Sequence, residues 1–230
     1  MSPLIVIPAR LKSERLPNKP LLPVCGRPLY VLIYRLARSI SHNVIIATPD
    51  VEITKSCEAY NIPAMLTDPE HTSGTERCAE VVQRSVRKPE VIINWQVDEV
   101  LDEPKEVLKL AHRQINRGGI GTLLETDLCT EEELECPHTV KAAANPSGRC
   151  FWFSRGALRG SRPHVGIYAF SPSVLSAVSA RRSTPLSAAE SLEQLSWLEI
   201  GYAIWGDPSS GGIQINTQTD YDLLCKVVKE

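Results

Sequence analysis

The stretch Leu4-Ile-Val-Ile-Pro-Ala-Arg10, continued by Leu11-Lys-Ser-Glu-Arg15-Leu-Pro-Asn-Lys19-Pro-Leu21, decides how the rest of the chain is read. Leu4 to Ile7 is a short apolar run of the kind a strand buried on both faces shows. It leads straight into a loop where Arg10, Arg15 and Lys19 stand four or five residues apart. Cations so close repel one another unless an anion shares the space. The carboxyl end of a strand is where open α/β sheets bind phosphates. Prolines at 8, 17 and 20 stiffen the loop. A triphosphate is the anion that suits such a trio.

Outward from this stretch the same pattern repeats. Apolar runs Val44–Ala47, Val91–Trp95 and Ile120–Leu124 alternate with amphipathic segments, such as Leu29, Leu32, Ile33 and Leu36 at helical spacing. Ser73-Gly-Thr-Glu76 reads as a capping box. Asp102-Glu-Pro104 reads as an N-cap with an early proline. Strand–helix alternation predicts an α/β fold with a mostly parallel sheet and right-handed crossovers. Val140–Ala144, Cys150–Ser154 and Val165–Phe170 read as an antiparallel lobe set on that sheet, with Asn145-Pro-Ser-Gly148 as a turn. Leu186–Leu198 reads as a helix, Ile200–Trp205 as a strand, and Thr217-Gln-Thr-Asp220 as the cap of a last helix. The expected organisation is a single domain over 1–230, with a nucleotide-binding core over 1–135 and 186–230 and the small lobe over 136–185.

The chain has 230 residues, 43% of them hydrophobic, which is enough for one substantial core. A net charge of -2 argues against a nucleic-acid scaffold, so any anion site is local. No apolar run approaches the roughly 20 residues of a membrane span, and a strand rather than a leader follows the start. Seven scattered cysteines with no Cys-x-x-Cys read as reduced thiols. The expected setting is cytoplasmic.

Three further groups carry chemistry. Asn94-Trp-Gln-Val-Asp98-Glu99 closes a strand on two carboxylates, and an acid near a triphosphate loop is a natural Mg²⁺ ligand. Taken alone, the pair reads as a turn with Glu99 facing solvent. In Ser73-Gly-Thr-Glu-Arg77 the capping box explains Ser73 and Glu76 but not Arg77, and free N–H groups at a helix start suit an anion or a base's carbonyl oxygens. Arg155, His164, Tyr168, Glu193 and Gln194 would suit a hydroxylated, acidic sugar, although singly each is more often structural.

In this order the segments resemble one family, the CMP-Kdo synthetases (3-deoxy-manno-octulosonate cytidylyltransferases). The likeness is carried by Ile7-Pro-Ala-Arg10, Arg15-Leu-Pro-x-Lys19-Pro-Leu21, Gly26-Arg-Pro28, Ser73-Gly-Thr-Glu-Arg77, Gln96-Val-Asp-Glu99, Val140-Lys141, Phe153-Ser-Arg155, His164-Val-Gly-Ile-Tyr168 and Leu192-Glu-Gln-Leu195. It covers nearly the whole length. The resemblance implies a nucleotidyltransferase-type, Rossmann-like fold, a homodimer, and transfer of CMP from CTP to a 2-keto-3-deoxy sugar acid such as Kdo, with pyrophosphate released. It implies Arg10, Lys19 and Asp98 as catalytic residues. Pro8, Ala9, Arg10, Arg15, Lys19, Ser73, Gly74, Arg77 and Gln96 would hold the nucleotide. Gln96, Arg155, His164, Tyr168, Glu193 and Gln194 would contact the sugar acid. Asp98 and Asn216 would bind Mg²⁺.

The chain departs from the family at several of these points. Val97 and Val100 stand where the family shows the glycine and proline of Gln-Gly-Asp-Glu-Pro. Gln214-Ile-Asn-Thr-Gln218 stands where the family shows Gly-Val-Asp-Thr-Pro, so Asn216 keeps an oxygen ligand but loses a charge, and Asn216→Asp is expected to tighten metal binding. The stretch from Arg155 to His164 is shorter, and Ser187 and Ala188 replace an acid and a histidine. An active enzyme with an altered acceptor fits these changes. The alternative is a catalytically impaired nucleotide-binding homologue with a regulatory or scaffold role.

Overall fold

The computed structural model describes residues 2–12, 16–181 and 183–228. The first half runs β1 (Leu4–Pro8), the short pair β2 (Pro23–Val24) and β3 (Arg27–Pro28), α1 (Leu29–Arg38), β4 (Asn43–Thr48), α2 (Val51–Ala59), β5 (Ala64–Leu66), α3 (Gly74–Arg84), β6 (Ile92–Trp95) and β7 (Glu99–Leu101). Next come α4 (Lys105–Arg117), β8 (Ile120–Glu125), α5 (Glu131–Glu135), β9 (Lys141–Ala144), β10 (Arg149–Ser154) and β11 (Arg162–Phe170). The chain closes with α6 (Pro172–Ser179), α7 (Pro185–Glu190), α8 (Glu193–Glu199), β12 (Ile204–Ser209), β13 (Gly212–Gln214) and α9 (Gln218–Val227).

Nine strands form one sheet in the order β5-β4-β1-β6-β11-β8-β12-β10-β9. β1 is parallel to both β4 and β6, and β12 is parallel to β8. β11 runs antiparallel between β6 and β8. Period-two alternation splits β1 between two cores: Ile5 and Ile7 join one, Val6 the other. The first core holds Tyr30 and Ile33 of α1, Ile53 of α2 and Leu110 of α4, and the second holds Val81 of α3, Leu175 of α6 and Trp197 of α8. Each fully buried isoleucine or leucine contributes about 2 kcal/mol. Among the described residues no helix is long and apolar enough to cross a membrane.

The expected α/β fold is the one observed, with corrections inside it. The three strands read as a lobe belong to the main sheet. β11 lies at its centre, and β9 pairs with both β10 and the start of β11. Strands β11, β8, β12, β10 and β9 therefore close a ring of backbone hydrogen bonds. The helix expected over 186–198 is two helices, because Ser191 adopts a left-handed conformation (φ 54°) after α7. α8 then runs on through Glu199, and Gly201 turns the chain at φ 88°, which delays the last main-sheet strand to Ile204. Asp102 is not a cap, since α4 begins at Lys105 after Pro104.

Candidate active site

The loop after β1 is anchored at its start. Ala9 N–H donates to Ala47 O at 2.9 Å, and Leu11 N–H donates to Asp50 Oδ2 at 2.8 Å. Arg15 lies outside the described residues. Asn18, left-handed at φ 56°, turns the chain into a single 3-10 turn at Lys19–Leu21. That turn buries Lys19 to 7% exposure and aims its ammonium at the end of the β6–β7 connection. Nζ donates to Asp98 Oδ2 at 2.7 Å and to Ile215 O at 2.6 Å. Ile215 N–H in turn donates to Asp98 O at 2.9 Å. The basic loop and the strand-end acid, 79 residues apart in sequence, are thus in direct contact.

These groups open on a cavity of about 450 Å³. Its walls include Pro8 at the end of β1, Ala9, Arg10 and Lys19 from the loop that follows, Ser73, Gly74 and Arg77 from the cap and first turn of α3, and Gln96, Asp98 and Glu193. The helix start behaves as its sequence predicts: Ser73 Oγ accepts from Glu76 N–H at 3.2 Å, and the Glu76 carboxylate accepts from Ser73 N–H at 3.3 Å. Arg77 does something the capping box did not foretell. Its guanidinium donates to Thr67 Oγ1, Asp68 O and His71 O, each at 2.9 Å, and so braces the loop ahead of α3. Burial, then the nearby Arg10 cation, pushes its pKa down from the usual value.

Gln96 reaches the cavity between the two halves. Its Nε2 donates to Asn94 Oδ1 at 2.9 Å, which leaves Oε1 as its acceptor. A Cβ on Gly74 would meet Gln96 Nε2 at 2.9 Å and Pro8 Cγ at 3.1 Å, so glycine is what lets α3 approach this wall. On the far side Glu193 Oε2 accepts from Thr75 Oγ1 at 3.0 Å. Burial raises the Glu193 carboxyl above the usual carboxylate range, against the pull of hydrogen bonds from Ser73 and Thr75. The split between α7 and α8 is what places Ser191 and Glu193 on this wall.

Glu99 contradicts its sequence reading. It is 4% exposed, and its Oε1 accepts from Gly166 N–H at 2.8 Å and from Gln214 Nε2 at 2.5 Å. Burial, then the neighbouring Asp98 charge, pushes its carboxyl up to about 8. The missed signal is periodicity: Val97, Glu99 and Leu101 alternate on one side of the chain, and all three are buried. Lys12, Thr72 and Ser191 also line the main cavity without having been singled out.

Five expected residues lie elsewhere. Asp98 lines the main cavity and Glu99 a second one of about 420 Å³, whose walls also carry His164 and Asn216. His164 Nε2 is 2.8 Å from Thr122 Oγ1, and burial pushes its imidazole down to about 3, so it is neutral. Asn216 N–H donates to Asp220 Oδ2 at 2.9 Å, and its Nδ2 donates to Gln214 Oε1 at 2.8 Å. Gln194 Nε2 donates to Tyr168 Oη at 2.5 Å, inside a cluster where Tyr168 stacks edge-on with Trp197. Arg155 is held at α7, where its N–H and Nε donate to Glu190 Oε2 and Glu190 O at 2.7 and 3.1 Å.

No cluster of three or more His, Cys, Asp and Glu side chains suited to a metal occurs among the described residues. Asp98, 26% exposed at the side chain, nevertheless fits magnesium, which takes one or two carboxylates and completes its shell with water and substrate phosphates.

Comparison with known proteins gives one consistent picture. A family model described as Cytidylyltransferase matches residues 4–204. The 3-deoxy-manno-octulosonate cytidylyltransferase of an Anaeromyxobacter species is 36% identical, covering 95% of this chain and 93% of its own. The enzyme named 3-deoxy-manno-octulosonate cytidylyltransferase 1 from Actinobacillus pleuropneumoniae is 34% identical, with 95% of each chain covered. Among solved structures, a CMP:2-keto-3-deoxy-manno-octonic acid synthetase complexed with CTP superposes with a TM-score of 0.88 at 30% identity, covering 99% of this chain and 98% of its own. HddC from Yersinia pseudotuberculosis, at 15% identity and a TM-score of 0.72 over 98% and 99% of the two chains, shares the fold.

Proposed function

The chain belongs to the cytidylyltransferase family, and on that premise we propose that it transfers CMP from CTP to Kdo or a closely related 2-keto-3-deoxy sugar acid, releasing pyrophosphate. The observation that carries this reading is the 2.7 Å contact between Lys19 and Asp98 at the wall of the main cavity. It joins a phosphate-binding cation to a metal-binding acid.

In the reaction the anomeric hydroxyl of the sugar acid attacks the α-phosphorus of CTP. A new O–P bond forms, the bond from that phosphorus to the bridging oxygen breaks with its electrons leaving on pyrophosphate, and the hydroxyl proton passes to solvent water. Charge builds on phosphoryl and leaving oxygens, so positioning and preorganised cations supply most of the rate. Arg10 and Lys19 hold the triphosphate. Ser73, Gly74, Arg77 and Gln96 line the nucleoside side, and Glu193 faces the acceptor. Asp98 would hold Mg²⁺, which when bound neutralises phosphate charge, whereas Asn216, expected as a second ligand, lines the other cavity. The cytoplasmic setting belongs to the same reading and suits the seven free thiols, as does the homodimer, which light scattering in solution checks.

The test is pyrophosphate release from CTP, ATP, GTP and UTP with Mg²⁺ and a panel of 2-keto sugar acids. Release with CTP and Kdo or an analogue is expected. CTP binding without release from any acceptor would overturn the reading.

A further inference from the structure

Among the described residues four cationic side chains stand on the wall of the main cavity: Arg10, Lys12, Lys19 and Arg77. Two of them are already committed. The Lys19 ammonium is paired with Asp98 at 2.7 Å and donates to Ile215 O at 2.6 Å. The Arg77 guanidinium spends three hydrogen bonds on the loop over 67–71. Arg10 and Lys12 make no hydrogen bond or ion pair with any described residue. The uncommitted positive charge on this wall is therefore theirs. The spacing that singles out Arg10, Arg15 and Lys19 passes over Lys12.

Lys12 is exposed, but its root is fixed. Leu11 N–H donates to Asp50 Oδ2 at 2.8 Å, Leu11 O accepts from Asn18 N–H at 3.2 Å, and the Leu11 side chain packs against the first core. The bond between Leu11 and Asn18 closes the basic loop, with Lys12 at one foot and Lys19 at the other. The two feet differ in depth. Lys19 is 7% exposed and lies against Asp98, the metal-binding acid beside which the inner phosphate of CTP reacts. Lys12 stands in solvent at the rim. A triphosphate that reacts at its inner phosphate runs outward from the floor, so its outermost phosphate arrives at the rim. That phosphate also carries the most charge, because its second ionisation lies at about pH 6.

We propose that Lys12 binds the outermost phosphate of CTP, so that the departing pyrophosphate is held between Lys19 at the floor and Lys12 at the rim. A lysine suits the rim, since its charge is a single point on a flexible stem that can follow the pyrophosphate out. This rests on the reading in which the main cavity takes CTP.

Calorimetric titration of the full chain with CTP, CDP and CMP tests this without turnover. Lys12→Ala is expected to weaken CTP binding by about fivefold, the upper end for one solvent-exposed ion pair, and to leave CDP and CMP within about twofold of the parent. Lys12→Glu is expected to weaken CTP binding by about 25-fold, because it sets a like charge against the phosphate, and Lys12→Arg to restore it. Raising potassium chloride from about 0.05 to about 0.5 M should remove most of the difference between parent and Lys12→Ala, since an exposed pair is screened. Lys105→Ala, which deletes the same charge at the exposed start of α4 and outside the cavity, should change nothing. Parent-like CTP affinity in Lys12→Ala, a loss of equal size for CTP and CDP, or the same loss in Lys105→Ala would overturn the assignment. Lys19→Ala separates the two levels. If the parent does not bind CTP, or Lys19→Ala binds it as the parent does, the reading of the cavity falls and Lys12 with it, whereas a normal loss in Lys19→Ala with none in Lys12→Ala overturns the Lys12 assignment alone.

Discussion

The Lys19 ammonium uses two of its three protons on Asp98 Oδ2 and Ile215 O, which leaves one for a ligand in the cavity. In the proposed reaction that proton serves the triphosphate rather than a monophosphate. Lys19→Ala should therefore weaken CTP binding by about 10- to 100-fold, or about 1.4–2.8 kcal/mol, while CMP binding stays nearly intact in calorimetric titrations. Equal loss for both nucleotides would place Lys19 at another part of the ligand. Glu99 carries a pH signature of its own. Its folded carboxyl titrates at about 8 against an ordinary 4.5. The folded state therefore holds a proton that the unfolded chain gives up, and stability falls as pH rises from 4.5 through about 8. Urea denaturation at a series of pH values should show that fall in the parent and a flatter profile in Glu99→Gln. The same slope in both proteins would assign the titrating group elsewhere.

The start of α3 shows how one element couples fold to site. Gly74 is its first residue, and a Cβ there meets the movable end of Gln96 at 2.9 Å and the less yielding ring of Pro8 at 3.1 Å. Helix preference favours alanine over glycine by about 0.8–1 kcal/mol, so Gly74→Ala should change stability little while displacing Gln96. The expected result is a KM for CTP raised about tenfold, about 1.4 kcal/mol, with a melting temperature within a few degrees of the parent. A fall in stability with KM unchanged would make Gly74 a packing residue only. The start of α3 was legible because a capping box is local: Ser73 and Glu76 sit three apart and satisfy each other. The break at Ser191 was not, because nothing in Leu186–Leu198 forces a serine into the left-handed region; only packing does. The same division holds in the site. Arg10, Lys19 and Asp98 announce themselves by charge at strand ends. Asn216's tie to Gln214 and Glu99 depends on which strands pair, as β13 does with β7. Periodicity does not encode partners, which is also why the sequence alone suggests a lobe for β11, a strand at the centre of the sheet.

At the scale of the molecule, the nucleotide-side strands and the ring of five strands share one sheet, and α4 ties its first core to β12 at some remove from the cavity. Asp207 of β12 is 4% exposed. Its Oδ1 accepts from Arg117 Nη1 at 2.8 Å and Arg113 Nη1 at 3.0 Å, both on α4. Arg117 lies over the Trp205 ring at 5.2 Å and Arg149 of β10 at 5.4 Å, so helix and two ring strands meet at one charged node. None of these residues lines the main cavity. Deleting the carboxylate leaves Arg117, 26% exposed at the side chain, without its anion, and the solvent access of both arginines keeps the loss below that of a fully buried pair. Asp207→Ala should destabilise by about 2 kcal/mol and lower the melting temperature by about 4–8 °C. Asp207→Asn, which retains an acceptor for the guanidinium, should lose less. In both variants KM for CTP should match the parent below the transition, because the node stabilises the sheet without touching the ligand. A raised KM in Asp207→Asn, with its melting temperature intact, would instead show that the node sets the geometry of the distant site.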